Sequence, residues 1–138
     1  MSKIVIIGAG AMGTAFALPC LDNNHDINIV GTHLENDFID ELKKNNNLHP
    51  GLKVEIPQEV KIFKFEKFDE LLKSNVELIV LGVSSKGIEW VADQLSRIYH
   101  DGKVPKLLML TKGLSIHNNE YELLVDKLER LLIKRKIK

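Results

Sequence analysis

The chain lacks the residues that several kinds of chemistry require. Its 138 residues include a single cysteine, Cys20, so no internal disulfide can form. Set among Phe16, Ala17 and Leu21, that thiol reads as a small packing group. The five histidines, His25, His33, His49, His100 and His117, are dispersed, with no pair at ligand spacing and no cysteine cluster, so no metal site is expected. Nineteen basic residues balance nineteen acidic ones, and no overall field draws the chain toward nucleic acid or an anionic membrane. The apolar run near the N-terminus is only Ile4 to Ile7, far short of a signal h-region or a membrane span, and the expected setting is the cytoplasm. Aromatic residues make up 6% of the chain, yet hydrophobic ones reach 44%, enough for one domain with a core on both faces of a sheet.

What is present begins at residue 3. Lys3-Ile4-Val5-Ile6-Ile7 reads as a buried strand and runs directly into Gly8-Ala9-Gly10-Ala11-Met12-Gly13, a G-x-G-x-x-G turn. In this pattern Gly8 allows the sharp exit from the strand, Gly10 removes a side chain that would block backbone approach to phosphates, and Gly13 lets the next helix pack against the sheet. The unpaired N–H groups at the start of that helix then face the anion. Any tight strand-to-helix turn can use such glycines. The apolar strand before, the Ala-rich helix after and a second strand over Asp26–Val30 supply the βαβ context that makes it a dinucleotide signature.

Further along, Leu34, Phe38, Ile39 and Leu42 recur at helical spacing to about Lys44, and Asn45-Asn46-Asn47 with His49-Pro50-Gly51 stop that helix. Residues 52–66 read as short strands or strand-like loop, and Pro57 argues against a central position. A short helix around Lys67–Lys73 precedes the apolar run Val76–Val83, typical of a strand buried on both faces. Ile88, Val91, Ala92, Leu95, Ile98 and Tyr99 mark a helix that Ser84 or Ser85 is placed to cap, and Lys106–Thr111 reads as another buried strand. Asn119 is the expected N-cap of a last helix, with Glu122 three residues on and Tyr121, Leu124, Val125, Leu128, Leu131 and Leu132 on one face. The closing Lys134, Arg135, Lys136 and Lys138 complement that helix's C-terminus. Pro19 falls about two turns into the first helix, where a kink or an early end is expected at a cost of roughly 3 kcal/mol. Strands alternating with helices predict a doubly wound, parallel, three-layer α/β domain.

Three segments in order carry a specific likeness: Gly8-Ala9-Gly10-Ala11-Met12-Gly13-Thr14-Ala15, Leu81-Gly82-Val83-Ser84-Ser85 and Leu110-Thr111-Lys112-Gly113-Leu114. They resemble the amino-terminal half of NAD(P)-dependent glycerol-3-phosphate dehydrogenase, a Rossmann domain, and Ile29-Val30-Gly31-Thr32 with His49-Pro50-Gly51 looks most like its archaeal members. The resemblance implies that Gly8 to Gly13 hold the pyrophosphate, that Val83, Ser84 and Ser85 flank the nicotinamide ribose, and that Lys112 reaches toward the substrate, glycerol 3-phosphate or dihydroxyacetone phosphate. Without the family, Lys112 reads as a plain surface lysine after a strand. In that family a further strand and a carboxy-terminal helical domain follow, carrying the principal catalytic lysine and the substrate-phosphate ligands. The chain stops before them, so the resemblance implies a cofactor-binding portion that is inactive alone. Apolar surface bared by the missing domain makes a homodimer an expected state.

Cofactor choice in this fold turns on an acidic residue about 20 positions past the glycines for the 2′-hydroxyl of NAD, or an arginine nearby for the 2′-phosphate of NADP. The second strand ends in Val30-Gly31-Thr32-His33, with no Asp, Glu or Arg at its tip. Thr32 and His33 can hydrogen-bond a 2′-phosphate, which favours NADP over NAD. Glu35 is close enough to revise that preference if it points back. Two other readings share the glycine loop: the Rossmann part of a ketopantoate reductase-like enzyme, and a stand-alone nucleotide-binding module. The Val83-Ser84-Ser85 and Thr111-Lys112-Gly113 segments favour the dehydrogenase over the other reductase.

Overall fold

Strict alternation in the first strand sets the layering. In β1 (Lys3–Ile7), Ile4 and Ile6 enter one hydrophobic cluster while Val5 and Ile7 enter another, and all four are buried. A computed structural model of the chain describes residues 1–100 and 102–135. β1 lies at the centre of a five-stranded sheet with β2 (Asp26–Val30), β5 (Lys61–Phe63), β6 (Leu78–Leu81) and β7 (Lys106–Met109), in the order β5-β2-β1-β6-β7. Every pairing is parallel. Helices α1 (Ala11–Asp22) and α2 (Asn36–Lys44) bring Ala17, Ile39 and Leu42 to the cluster of Ile4 and Ile6. On the opposite face, α3 (Phe68–Leu72), α4 (Ile88–Ile98) and α5 (Leu124–Lys134) cover Val5 and Ile7. Each wholly buried Ile or Leu contributes about 2 kcal/mol. The result is the doubly wound three-layer Rossmann arrangement expected from the alternation of elements.

The shorter elements fill the connections. β3 (Leu48–His49) pairs antiparallel with β4 (Val54–Glu55), and β8 (Leu114–His117) pairs antiparallel with β9 (Glu120–Leu123). Cys20 is half-buried against the cluster of Ile4 and Ile6, and burial pushes its thiol pKa up, away from the thiolate. On the other face the half-buried Tyr99 donates its hydroxyl to the Leu72 carbonyl at 2.6 Å.

The structure departs from the sequence expectations at α1, at β7 and before α5. Helix α1 does not end at Pro19 but continues to Asp22. Proline sits in its last turn, and the Asn23 backbone N–H and side-chain amide both donate to the Pro19 carbonyl, at 3.2 and 2.7 Å. β7 is not buried on both faces, because it is an edge strand of the sheet, with Leu107 and Met109 half-buried and Leu108 exposed. Asn119 caps no helix. Asn118 and Asn119 have φ of 51° and 65° and form the tip of the β8–β9 hairpin, so α5 starts only at Leu124. The helical periodicity begins one turn later than the spacing predicts: Tyr121 is 78% exposed, and Glu122 binds Ser115 and Arg130 instead of closing a capping box. At the basic end, Arg135 binds Asp93 at 2.6 Å, and Lys136 and Lys138 lie outside the described residues.

Candidate functional site

Parallel strands put the carboxyl ends of β1, β2, β6 and β7 on one edge of the sheet, where ligands of open α/β folds bind. Two cavities open there and meet at Gly10, Gly82, Val83 and Ser84. One, of about 420 Å³, is also bounded by Gly8, Thr32, His33, Glu35, Lys86 and Trp90. The other, of about 330 Å³, is also bounded by Ala11, Met12, Ser85, Leu110, Thr111 and Lys112. The glycine loop is the ridge between them.

Close packing explains why that ridge is made of glycine. Gly8 has φ of +108°, and a Cβ there would stand 2.8 Å from the Gly82 carbonyl oxygen. A Cβ at Gly13 would stand 2.9 Å from the Gly8 oxygen, and one at Gly82 would stand 3.2 Å from the Gly13 Cα. The glycines that follow β1 and β6 therefore interlock with Gly13 of α1, which seats α1 tightly on the sheet. Gly10 differs. A Cβ there would meet no atom within 4 Å, so its bare side faces open space between the cavities.

Amides complete the ridge. No side chain caps α1 and no acidic residue stands in its first turn, so the leading N–H groups of the helix are left for an anion. Open space at Gly10 together with these amides fits the diphosphate of a dinucleotide. Behind the ridge, Ala9 is buried, lines neither cavity, and has both backbone groups engaged. Its N–H donates to the Glu35 carboxylate at 3.1 Å, and its carbonyl lies 3.0 Å from His49 Nε2. Ala9 thus supports the loop from within and does not face a ligand.

On the side of the larger cavity, Thr32 and His33 stand together at the exit of β2. The His33 ring packs on Trp90 with centroids 5.1 Å apart, and Trp90 packs in turn on Phe65 and Phe68. Glu35 does point back: Oε1 accepts from the Thr32 N–H at 2.9 Å and Oε2 from the Ala9 N–H at 3.1 Å. Lys86 lies across the same cavity, exposed and with no ion-pair partner among the described residues.

On the other side, Thr111 Oγ1 donates to the Val83 carbonyl at 2.7 Å and joins the exits of β6 and β7. Neither Ser84 nor Ser85 caps α4. A 3₁₀ turn over Ser85–Gly87 intervenes, Gly87 precedes α4, and the seryl side chains make no cap hydrogen bond. The turn holds them on the cavity wall instead, at the mouth of β6. Lys112 is exposed on the same wall, and the backbone turns sharply after it at Gly113, where φ is +125°. Gly8, Gly10, Ala11, Met12, Thr32, His33, Val83, Ser84, Ser85 and Lys112 are thus gathered at one end of the sheet, while Ala9 and Gly13 lie beneath it. The sequence alone does not point to Lys86, which the 3₁₀ turn before α4 carries to the site, to Trp90, which ring contacts with His33, Phe65 and Phe68 place there, or to the supporting contacts of His49.

Residues 3–137 match the family model for the N-terminus of NAD-dependent glycerol-3-phosphate dehydrogenase. The chain is 34% identical over 116 residues to the NADP(+)-dependent glycerol-3-phosphate dehydrogenase of Archaeoglobus fulgidus, covering 84% of this chain and 33% of that one. It is 31% identical over 115 residues to the glycerol-3-phosphate dehydrogenase [NAD(P)+] of Oceanobacillus iheyensis, covering 83% of this chain and 31% of that one. Among solved structures, glycerol-3-phosphate dehydrogenase from Coxiella burnetii superposes with a TM-score of 0.72 at 23% identity, over 95% of this chain and 38% of that one. That likeness shows the fold. The chain spans about a third of the length of the curated relatives it matches.

Proposed function

The chain belongs to the family of NAD-dependent glycerol-3-phosphate dehydrogenase N-terminal domains, and from that premise we propose that it is the cofactor-binding portion of an enzyme interconverting glycerol 3-phosphate and dihydroxyacetone phosphate. The observation that carries this reading is the pair of cavities meeting over a bare glycine and uncapped amides. Gly10, Ala11 and Met12 hold the diphosphate, the Thr32–His33 side takes the adenosine, and Val83, Ser84 and Ser85 flank the nicotinamide ribose. When bound, the nicotinamide supplies or accepts a hydride. Lys112 places positive charge on that wall, where the substrate's carbonyl oxygen gains negative charge during reduction.

The same cavity favours NADP. Glu35 carries a charge that opposes a 2′-phosphate, but its two oxygens are turned to the backbone amides of Ala9 and Thr32, whereas the Lys86 ammonium has no ion-pair partner among the described residues. His33 and Thr32 add donors beside it. The name of the Archaeoglobus fulgidus relative agrees with this preference. Among the described residues no helix is long and apolar enough to cross a membrane, and the proposed setting is the cytoplasm. Exposed Leu114, Ile116, Tyr121 and Leu123 on the β8–β9 hairpin support a homodimer, which light scattering checks.

Trp90, the only tryptophan, lines the larger cavity and reports on binding there. Titration of the chain with NADPH and NADH, followed by its fluorescence, tests the proposal. Saturable quenching, tighter for NADPH, is expected. Backbone amides of Gly10 to Met12 left unperturbed by either dinucleotide at millimolar concentration would overturn the reading, and a preference for NADH would overturn its NADP part. The chain alone is expected not to reduce dihydroxyacetone phosphate at rates on the order of 10 per second.

A further inference from the structure

We propose that His49 is a positioning residue for the glycine loop, holding the Ala9 carbonyl so that the amide of Gly10 is presented to the ligand. The ligand's identity rests on the dinucleotide reading above; the positioning itself does not. His49 is 3% exposed and stands forty positions from Ala9 in sequence. Its Nδ1 accepts from the backbone N–H groups of Gly51 and Leu52, at 3.1 and 3.2 Å. With two donors aimed at Nδ1, the ring's single proton sits on Nε2, which therefore donates to the Ala9 carbonyl at 3.0 Å. The ring has little freedom to leave. Phe38 packs against it edge to face at 5.5 Å, and a Cβ at Gly51 would stand 3.2 Å from its Cε1.

The consequence follows from peptide geometry. A trans peptide is planar, with its C=O and the next N–H pointing to opposite sides. Holding the Ala9 oxygen toward His49 thus turns the Gly10 N–H away from it, to the side where Gly10 lines both cavities. Glu35 fixes the other end of the same residue through the Ala9 N–H. His49 of β3 and Glu35 of the turn before α2 therefore set the direction of this backbone amide, joined by a longer bond of 3.4 Å from Thr14 Oγ1 in α1 to the same Ala9 carbonyl.

Two variants separate this role from simple packing. His49→Phe keeps a ring against Phe38 but loses the donor and the acceptor; His49→Gln keeps one of each. Backbone ¹⁵N order parameters of Gly10 and Ala11 in the ligand-free chain are expected to fall in His49→Phe from about 0.85 to below about 0.6 and to return in His49→Gln. NADPH affinity is expected to drop about tenfold in His49→Phe and to recover in His49→Gln. The imidazole nitrogen shifts of the unmodified chain, which need no variant to fold, are expected to show the proton on Nε2. A proton on Nδ1, or unchanged order parameters in a folded His49→Phe, would overturn the proposal. If the unmodified chain binds no dinucleotide, the functional reading fails, and the order parameters and imidazole shifts still decide the role of His49.

Discussion

Thr111 Oγ1 donates to the carbonyl of Val83 at 2.7 Å, tying the residues that leave two neighbouring parallel strands. The bond spans the floor of the smaller cavity, and β7 has no neighbour on its outer side among the described residues to hold it otherwise. Thr111→Val removes the donor and keeps the shape. It is expected to cost about 1 kcal/mol of stability and to weaken dinucleotide binding about fivefold, with Thr111→Ser close to the parent. Thermal unfolding and fluorescence titration read the two effects separately.

Cofactor preference is expected to reside in Lys86. Among the described residues it is the one lysine that lines the larger cavity, together with Thr32 and His33. Lys86→Met is expected to weaken NADPH about tenfold and to leave NADH within about twofold, because only the former carries a 2′-phosphate for the charge to meet. The NADPH effect is expected to shrink as salt rises, since the site is open to solvent. Parallel titrations at low and high ionic strength measure both. Equal losses for the two dinucleotides would remove Lys86 from phosphate recognition.

Much of this architecture was legible in the residues themselves. β2 was delimited by its own apolar run, β1 by the glycines after it, and the layering by alternation at Ile4, Val5, Ile6 and Ile7. Local signals failed where long-range packing decides. The partner of Gly8 is Gly82, and nothing near either residue announces the other. His49 looked like part of a loop because β3 is two residues long, too short for any periodicity. The β8–β9 hairpin resembles a helix in sequence because Tyr121 falls on the extrapolated stripe of α5, and Asn119, one of the two asparagines at the turn, is also a residue type that caps helices. Glu35 lies beyond the strand tip, and only the turn before α2 brings it back to Ala9.

Glycine substitutions are expected to divide cleanly between fold and ligand. Gly8→Ala combines an unfavourable φ of +108° with an approach of 2.8 Å to the Gly82 oxygen, so it is expected to destabilise the chain by about 2–4 kcal/mol. Gly10→Ala meets no atom within 4 Å and is expected to stay within about 1 kcal/mol of the parent. Its new methyl occupies the space between the cavities, so dinucleotide binding is expected to be lost from a folded protein. Circular dichroism melts with NADPH titration distinguish the pair. Retained binding in Gly10→Ala would place the diphosphate elsewhere.

Alkaline pH gives a test of the packing on the α3–α4 face. Burial pushes the Tyr99 phenol up to about 12, and its hydroxyl donates to the Leu72 carbonyl, a bond that phenolate cannot make. In the unfolded chain the phenol titrates near its ordinary value of about 10. Between those values the folded chain keeps a proton that the unfolded chain releases, so stability decreases as pH rises. The contribution of Tyr99 is therefore complete below about pH 10 and lost as pH climbs toward about 12. Tyr99→Phe removes both the hydrogen bond and the titration. Its stability is expected to lie below the parent's at neutral pH, and the gap between the two is expected to close progressively above about pH 10. Urea unfolding of both proteins along a pH series measures the gap directly, and the lysines, common to both, cancel in the difference. A gap that stays constant to about pH 12 would mean that the phenol is not held in its neutral form by the fold.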